Sequence, residues 1–409
     1  MTPIDVPTAC DVLVVGAGPA GSACAQFLAR AGLSVVLADQ HAFPRDKVCG
    51  DGLIPDALAA LRRLGVYDEV MAVARPARHV ACIGPRGGRA DVAGTLAVLP
   101  RKLLDDILCR AAVRAGARLL APARFEAPLF DGERVAGARL KIEGALHDLR
   151  AGWVVLATGA TTQATTAAGV CTRRSPSGVA LRGYVKNDAM VGRIEALELV
   201  WHRRLRKGYG WIFPAPDGHF NIGVGLGEGY STDTEGHSHM RNVNLRETFA
   251  AFCDLYAPAR ELMAGGTLQG ELKGAPLRCS LEGADWSRPG LLVTGEAAGS
   301  TYAFTGEGIG KAMETGLHAA EVLLDGRAAN QPDAEVRRRY DERLRALKPR
   351  FDLYESANSF SRHPWMADLL IWRANKDPRV MRRIGVVLDE TGNPGNLVTL
   401  RGLWKLFRH

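Results

Sequence analysis

The chain has 409 residues and a net charge of +8, and 47% of its residues are hydrophobic while 23% are charged. This is the composition of a globular protein long enough to bury two hydrophobic cores. No apolar run is long enough to span a membrane, and the N-terminus has no basic region followed by an apolar one. We therefore expect neither a transmembrane helix nor a secretory signal, and a cytoplasmic protein is predicted.

The eight cysteines are scattered, with no C-x-x-C pair and no histidine cluster at metal-ligand spacing. We therefore expect free thiols and no metal site. The positive charge is concentrated in residues 334–409, which hold 16 Lys and Arg against 9 Asp and Glu. This segment fits a solvated helical face, or a patch for an anionic membrane or a phosphorylated substrate. A nucleic-acid site is disfavoured because no basic-aromatic motif accompanies the charge.

Residues 10–40 predict a strand, a turn, a helix and a second strand. Gly16, Gly18 and Gly21 follow G-x-G-x-x-G spacing, in which the first permits the turn, the second admits a pyrophosphate and the third lets the helix pack on the strand. Asp39 ends the second strand, where a carboxylate accepts a ribose hydroxyl. An ordinary glycine-rich turn is the alternative. However, the strand, the helix, the second strand and its acidic last residue all occur at the spacing that a dinucleotide site requires.

A polar loop follows at 43–53, and it places Lys47, Cys49 and Asp51 within five residues, ahead of a helix. Positive charge and the helix dipole are expected to lower the pKa of the Cys49 thiol. The alternative is a small buried cysteine without a chemical role.

Residues 76–99 predict short strands, and Arg101 begins an amphipathic helix. A cation in the first turn opposes the helix dipole, so Arg101 either has an anionic partner such as a pyrophosphate or is simply exposed. Segments 124–130 and 134–142 predict a hairpin. A further strand runs to Ala157 and ends near Gly159, where the backbone can approach a ligand.

Strand-like segments then follow one another through 170–284, with one helix among them, which indicates an antiparallel sheet inserted into the first domain. Tyr209, Trp211 and Phe213 alternate along one of these strands and so share a face. That face is either core or the lining of a cavity.

The pattern of the first domain returns at 291 with a strand, Gly295-Glu296 and a glycine-rich helix entry at 306–310. Glu296 is expected to accept a ribitol or ribose hydroxyl, and the free N–H groups of the helix entry suit an electron-rich flavin edge. The tail from 334 predicts helices with caps and breaks at Pro349, Pro364, Pro378 and the turn at 391–395.

With these residues assembled, most of the chain resembles the geranylgeranyl reductase family, which is related to aromatic hydroxylases and flavin-dependent halogenases. The motifs that carry the resemblance are GAGPAG at 16–21, FPRDKVCGDGL at 43–53, Arg101, GYGWIFP at 208–214, GEAAG at 295–299 and FTGEGI at 304–309.

The resemblance implies an α/β fold: a Rossmann-like FAD-binding domain of the glutathione-reductase and p-hydroxybenzoate-hydroxylase type, an inserted antiparallel β-sheet substrate domain and a helical C-terminal segment. The expected domains are 1–75, 100–165 and 285–330 for FAD, 76–99 and 166–284 for substrate, and 331–409 for the helices. The expected FAD-binding residues are Gly16, Gly18, Ala20, Gly21, Asp39, Arg45, Arg101, Gly159, Gly295, Glu296, Gly306, Gly308 and Ile309.

Two positions depart from related patterns. The family has Gly-Asp where this chain has Gly295-Glu296, so one extra methylene must fit near the ribitol. The halogenase motif of two tryptophans before isoleucine-proline is not met, because Tyr209 replaces the first tryptophan and Phe213 the isoleucine. Halogenation is therefore disfavoured.

The sequence favours an FAD-dependent reductase of carbon–carbon double bonds in an isoprenoid-like apolar substrate. Cys49 is the candidate acid, Lys47 tunes its thiol, and Tyr209, Trp211 and Phe213 line the substrate cavity. An FAD-dependent monooxygenase acting on an aromatic or carrier-bound substrate is the alternative, and a lipid carrier without FAD is the third hypothesis.

No second dinucleotide-binding unit is found in the sequence, so electrons are expected from NAD(P)H docking transiently or from a reduced protein donor. The basic tail and its last residues, 401–409, which mix aromatic, apolar and basic side chains, suggest peripheral contact with anionic membranes.

Overall fold

The computed structural model describes residues 5–205, 207–227, 230–232, 238–240, 242–356 and 362–388. The helices are α1 (Pro19–Arg30), α2 (Pro55–Leu64), α3 (Tyr67–Met71), α4 (Arg101–Arg114), α5 (Gln163–Ala167), α6 (Leu245–Leu255), α7 (Ala257–Gly265), α8 (Ile309–Ala328), α9 (Asp333–Ser356), α10 (Trp365–Lys376) and α11 (Pro378–Leu388). The strands are β1 (Ala9–Val15), β2 (Val35–Ala38), β3 (Gly52–Leu53), β4 (Arg75–Ile83), β5 (Arg89–Val98), β6 (Arg118–Leu120), β7 (Arg124–Asp131), β8 (Arg134–Ile142), β9 (Ala145–Leu156), β10 (Gly178–Lys186), β11 (Leu197–Val200), β12 (Gly208–Pro214), β13 (His219–Gly227), β14 (Tyr230–Thr232), β15 (Ser238–Met240), β16 (Thr267–Leu277), β17 (Ser287–Arg288) and β18 (Leu291–Val293).

The first sheet has the strand order β17-β18-β9-β1-β2-β6, with the β7–β8 hairpin joined to β9 through β8. The strands β18, β9, β1, β2 and β6 of this sheet are parallel. Val12 and Val14 of β1 pack with the helices, whereas Leu13 and Val15 pack with the hairpin side of the sheet. Because both faces of β1 are buried, its sequence is a continuous apolar run.

The second sheet has the order β16-β10-β13-β12-β11-β4-β5-β3, and helices α6 and α7 pack with its core. Its pairs are antiparallel except β4 with β11, which are parallel. Two parallel neighbours must be joined by a long crossover connection. Between β4 and β11 the chain passes through the first sheet, which supplies such a connection. Residues 52–53, from the predicted FAD-binding segment 1–75, pair with β5 of this second sheet.

Helix α8 packs against α1 at very short range. A Cβ at Gly316 would lie 2.2 Å from the carbonyl oxygen of Ala20, so only glycine allows this approach. Helix α9 then packs on α8. The strand, helix and glycine pattern of the sequence thus forms the predicted α/β architecture, with the FAD-type β1–α1–β2 unit at its centre.

The prediction of a helix break at Pro349 is wrong, because Pro349 lies inside α9. Phe351 and Tyr354, beyond the proline, are both buried, and the Tyr354 ring stacks on Tyr302 with ring centroids 3.9 Å apart. This packing holds the helix beyond the proline. The turn at 391–395 and the segment 401–409 lie outside the described residues.

All eight cysteines are free thiols. Within the part of the chain that the structure describes, no helix combines the length and the apolar character needed to cross a bilayer.

Candidate active site

A cavity of about 630 Å³ is lined by residues of both sheets. Part of its wall is the β1–α1 turn with Asp39, and another part is formed by β12 and α11. Of the cofactor-binding, catalytic and substrate-cavity residues predicted from the sequence, all but Gly21 and Gly295 line this cavity. Those two act in packing: a Cβ at Gly21 would lie 1.8 Å from the Gly16 carbonyl oxygen, and one at Gly295 would lie 2.6 Å from the Ala20 Cβ.

The β1–α1 turn leaves open space at Gly18, the N-cap of α1. A Cβ built there would meet only the guanidinium Nη2 atoms of Arg45 and Arg101, each at 3.7 Å. Gly16 has a φ of +101°, which a side chain would strain. A helix N-terminus flanked by two guanidinium groups suits a diphosphate.

Asp39 is buried, and its carboxylate is hydrogen-bonded to the β1–α1 turn. Its Oδ2 accepts the Ala17 N–H at 2.9 Å, and its Oδ1 accepts the His41 N–H at 3.0 Å. Arg45 adds two hydrogen bonds to the same carboxylate, at 3.3 and 3.2 Å. Asp39 therefore has a fixed orientation at the cavity wall, as a ribose-binding carboxylate needs.

Arg101 is buried at only 8% exposure, so the alternative of an exposed arginine is wrong. Its partner is Asp105, one helical turn on, which accepts from Nε at 2.6 Å and from Nη2 at 2.9 Å. Asp105 also accepts from Arg45 at 2.9 Å. Burial opposes the charge of Arg101, but the carboxylate of Asp105 outweighs it and raises the arginine pKa.

Glu296 and Gly159 form the wall that the second cofactor motif predicts. Glu296 Oε1 accepts the Arg278 N–H at 3.4 Å, and its Oε2 lies 4.0 Å from the ammonium of Lys47. Gly159 has a φ of +72°, and a Cβ there would lie 4.0 Å from the same Oε2. Glu296 therefore lies on the cavity wall between Lys47 and Gly159.

The glycine-rich loop at 304–308 leads into α8, whose N-cap is Gly308 and whose first residue is Ile309. Gly306 has a φ of +72°. The Tyr209 hydroxyl donates to the Thr305 carbonyl, which fastens this loop to β12. The N–H groups at the start of α8 thus lie on the cavity wall beside the aromatic strand.

Cys49 differs from the sequence prediction in the pKa of its thiol. Burial raises that pKa, and the opposing charge of Arg101 is too weak to reverse the effect, so the prediction of a lowered pKa is wrong. The cation that acts on Cys49 is Arg101, whereas the Lys47 ammonium approaches Glu296. Cys49 is therefore held as a neutral thiol.

A buried hydrogen-bond network around Asp51 supports the Cys49 loop. The Asp51 N–H donates to Cys49 Sγ at 3.4 Å. The Asp51 carboxylate accepts from Asn221 Nδ2 at 2.7 Å, from the Arg101 N–H at 3.2 Å and from the Tyr184 hydroxyl. Burial raises the pKa of Asp51 to about 6, although Tyr184 and the neighbouring arginines partly counter it.

Sequence reasoning noted Asp51 only as a neighbour of Cys49, and it missed Tyr184 and Asn221 altogether. The available signal was a polar residue on an otherwise apolar strand: Asn221 lies among buried residues of β13 and is itself fully buried. A buried amide needs partners for all its polar atoms, so such a position indicates a network.

Asn221 joins that network to the aromatic strand. Its Oδ1 accepts from Trp211 Nε1 at 2.9 Å, while its Nδ2 also donates to the Cys49 carbonyl at 2.8 Å. The ring centroids of Tyr209 and Trp211 lie 6.3 Å apart, and those of Trp211 and Phe213 lie 6.4 Å apart. The alternating aromatics thus form one continuous face.

That face is part of a largely apolar lining. The further apolar side chains are Ile54, Val80, Cys82, Val92, Leu197, Leu199, Trp201, Phe304, Ile384, Val387 and Leu388. A Cβ at Gly50 would lie 3.2 Å from Phe213 Cε2, so the glycines around Cys49 let its loop pass close to the aromatic face. The cavity therefore joins a dinucleotide cradle to an apolar compartment, and its residues fit FAD.

Comparison with known proteins agrees with this geometry. A family model described as an FAD binding domain matches residues 9–206. A menaquinone reductase of Mycobacterium tuberculosis is 33% identical over 355 residues, covering 79% of this chain and 78% of the relative. Digeranylgeranylglycerophospholipid reductase 1 of Methanopyrus kandleri is 28% identical over 338 residues, covering 81% and 85%.

A solved structure of a geranylgeranyl bacteriochlorophyll reductase-like protein from Thermoplasma acidophilum superposes with a TM-score of 0.75 at 20% identity, covering 98% of this chain and 96% of the other. The chain therefore belongs to the geranylgeranyl reductase family of FAD-dependent oxidoreductases. The predicted fold class, the FAD cofactor and the enzyme class are confirmed.

Proposed function

We propose that this FAD-dependent oxidoreductase reduces carbon–carbon double bonds in an isoprenoid-like, largely apolar substrate. The observation that carries the proposal is the single cavity in which the dinucleotide cradle continues into the apolar lining of β12 and α11. A compartment lined by aromatic and aliphatic side chains gains free energy by burying a polyprenyl chain. The relatives are named for menaquinone and for digeranylgeranylglycerophospholipid, which supports this substrate class.

In this proposal, Gly18 and the two guanidinium groups beside it hold the FAD diphosphate, while Asp39 and Glu296 accept hydroxyl groups of the cofactor. When bound and reduced, FAD supplies the hydride. The chain itself then has to supply a proton, exclude water and keep the substrate's double bond in place.

Cys49 is the proposed proton donor. Its thiol is neutral because burial raises the pKa, and a proton donor must carry its proton when the substrate arrives. Two hydrogen bonds fix the loop: the Asp51 N–H donates to Cys49 Sγ, and the Asn221 side-chain amide donates to the Cys49 carbonyl. As one alkene carbon accepts the hydride, the other takes the Cys49 proton, and the thiolate then regains a proton from water.

Electrons are proposed to come from NAD(P)H docking transiently or from a reduced protein donor, because the sequence contains a single dinucleotide-binding unit. Since a long apolar substrate resides in lipid, we also propose that the protein contacts membranes peripherally. An aromatic or carrier-bound substrate for a monooxygenase is the competing hypothesis, and it leaves the buried thiol of Cys49 without a role.

The test is anaerobic mixing of the dithionite-reduced holoenzyme with polyprenyl lipids and with aromatic compounds. We expect the polyprenyl lipids to reoxidise the flavin without oxygen and to gain two hydrogen atoms per double bond. A product that forms only in air and contains a new oxygen atom would instead establish the monooxygenase.

A further inference from the structure

The two C-terminal helices of the described chain expose an aromatic stripe. Trp365 is 54% exposed and Trp372 is 49% exposed, and both belong to α10. They are seven residues apart, which is two helical turns, so they lie on the same face. The ammonium of Lys376, one turn further on, lies 4.6 Å from the Trp372 ring centroid. Two large aromatic side chains at the surface beside a cation are typical of an interface.

Helix α11 has two faces with opposite properties. Ile384, Val387 and Leu388 line the cavity. Arg379, Arg382, Arg383 and Val386 recur at positions i, i+3, i+4 and i+7, and all four are exposed. The same helix is therefore the wall of the apolar compartment on one side and a cationic surface on the other.

The two acidic residues within 365–388, Asp368 and Asp377, do not cancel that positive charge. Asp377 is ion-paired with Arg373 at 3.1 Å, and Asp368 Oδ2 lies 3.9 Å from Nε of Arg86. The exposed sides of α10 and α11 thus carry, respectively, two tryptophans with a lysine and three arginines. This is the composition that interfacial helices present to anionic lipid.

We propose that the outer face of α10 and α11 docks on an anionic lipid bilayer, so that α11 is the wall across which a membrane-resident substrate reaches the cavity. The proposal rests on the proposed function for its second part only. Tryptophan rings lie at the headgroup level and arginine side chains meet the lipid phosphates, which places α11 between the bilayer and the apolar compartment.

The first experiment measures co-sedimentation of the full-length holoprotein with vesicles of phosphatidylcholine alone and of phosphatidylcholine with phosphatidylglycerol. Wild-type protein should sediment with the anionic vesicles, and less so as salt is added. Arg382→Gln/Arg383→Gln should lower the partition coefficient roughly 30-fold at low salt, from about fivefold for each cation. Lys141→Gln/Arg150→Gln, which removes two exposed charges from strands β8 and β9, is the matched control and should bind as wild type.

The second arm tests the aromatic stripe. Trp365→Ser/Trp372→Ser should weaken binding to the same vesicles, while Leu146→Ser, at a site that is 60% exposed on β9, should not. Equal binding of wild type to neutral and anionic vesicles, or unchanged binding of both double variants, would overturn the proposal. Loss of binding only when residues 389–409 are deleted would also overturn it, since the contact would then belong to that segment.

A second copy of the chain is the other possible occupant of this surface. Sedimentation velocity would show it as a dimer that becomes a monomer in Trp365→Ser/Trp372→Ser, and that result would count against lipid docking.

The last arm separates this proposal from the proposed function. A polyprenyl substrate is offered either in detergent micelles or embedded in anionic vesicles, and turnover is measured for wild type and Arg382→Gln/Arg383→Gln. We expect the variant to lose roughly tenfold or more on vesicles and nothing in micelles. Equal turnover of both proteins on vesicles overturns the docking surface and leaves the reductase intact, whereas absence of turnover in micelles overturns the reductase and leaves the vesicle binding to stand.

Discussion

Asp51→Asn should remove a pH dependence of stability that one buried carboxyl imposes. Burial raises the pKa of Asp51 to about 6, whereas an aspartate in an unfolded chain titrates near 3.9. Between these two values the folded protein keeps a proton that the unfolded chain releases. The contribution of Asp51 to the free energy of unfolding is therefore fully present below about pH 4 and is lost as the pH rises through 6.

The size of the effect follows from the shift of about two pKa units. At about 1.4 kcal/mol per unit, wild type should lose about 3 kcal/mol between pH 4 and pH 7 through this group. Asparagine removes the titration, and it tolerates the left-handed backbone at this position, where φ is +67°. Its amide is a donor where the Asp51 carboxylate accepts from Asn221 and Tyr184, which costs roughly 1–3 kcal/mol at every pH.

The assay is urea unfolding of both proteins from pH 4 to pH 7, and the quantity of interest is the free energy of unfolding of the variant minus that of wild type. This difference should rise by about 3 kcal/mol across the range. Asp131→Asn, at the exposed last residue of β7, is the control and should not reproduce the rise. A difference that stays constant with pH would refute the reasoning, because it would mean that Asp51 is ionised as easily in the folded protein as in the unfolded chain.

Three further substitutions test the cofactor and proton-donor assignments. Gly18→Val should fold, since a Cβ there meets nothing closer than 3.7 Å, but should purify without FAD; normal flavin absorbance per chain would contradict the assignment. Gly306→Val should keep FAD but change its spectrum or potential, because φ is +72° and a Cβ would lie 2.9 Å from the Tyr209 hydroxyl; an unchanged flavin would count against the loop's role. Cys49→Ser should keep FAD and slow double-bond reduction by roughly 100-fold or more, and a wild-type rate would make Cys49 structural.

The cofactor unit could be predicted from the sequence because its parts are close together in the chain. The β1–α1–β2 unit and Asp39 lie within residues 9–39. The glycines there are needed for the backbone of the turn, and the carboxylate is needed for a ribose hydroxyl. The α/β fold follows from the same kind of pattern. The alternation of Tyr209, Trp211 and Phe213 likewise gave a shared face, although only the structure shows that the face lines a cavity.

The network at Cys49 could not be predicted, because its partners are far apart in sequence. Tyr184 and Asn221 lie 133 and 170 residues from the Asp51 carboxylate that they contact. The error in the Cys49 pKa has the same origin. Charges near a thiol in sequence are visible, but its burial depends on how the second sheet packs over the loop, and burial is the larger effect.

Asn221 explains how the two sheets act as one site. Its side-chain amide has two N–H donors and one oxygen, and the contacts to the Cys49 carbonyl, the Asp51 carboxylate and the Trp211 indole use all three. The loop that carries the proposed proton donor is therefore fixed by a strand of the second sheet, and the same residue orients the central ring of the aromatic face. Because the amide is fully buried, breaking any one of these hydrogen bonds would leave a polar group with neither a protein partner nor water. The Cys49 thiol and the aromatic face therefore keep one relative position. A reductase of isoprenoid alkenes needs this, since an alkene carbon–carbon bond offers the site no hydrogen-bonding group by which to align it with the proton donor.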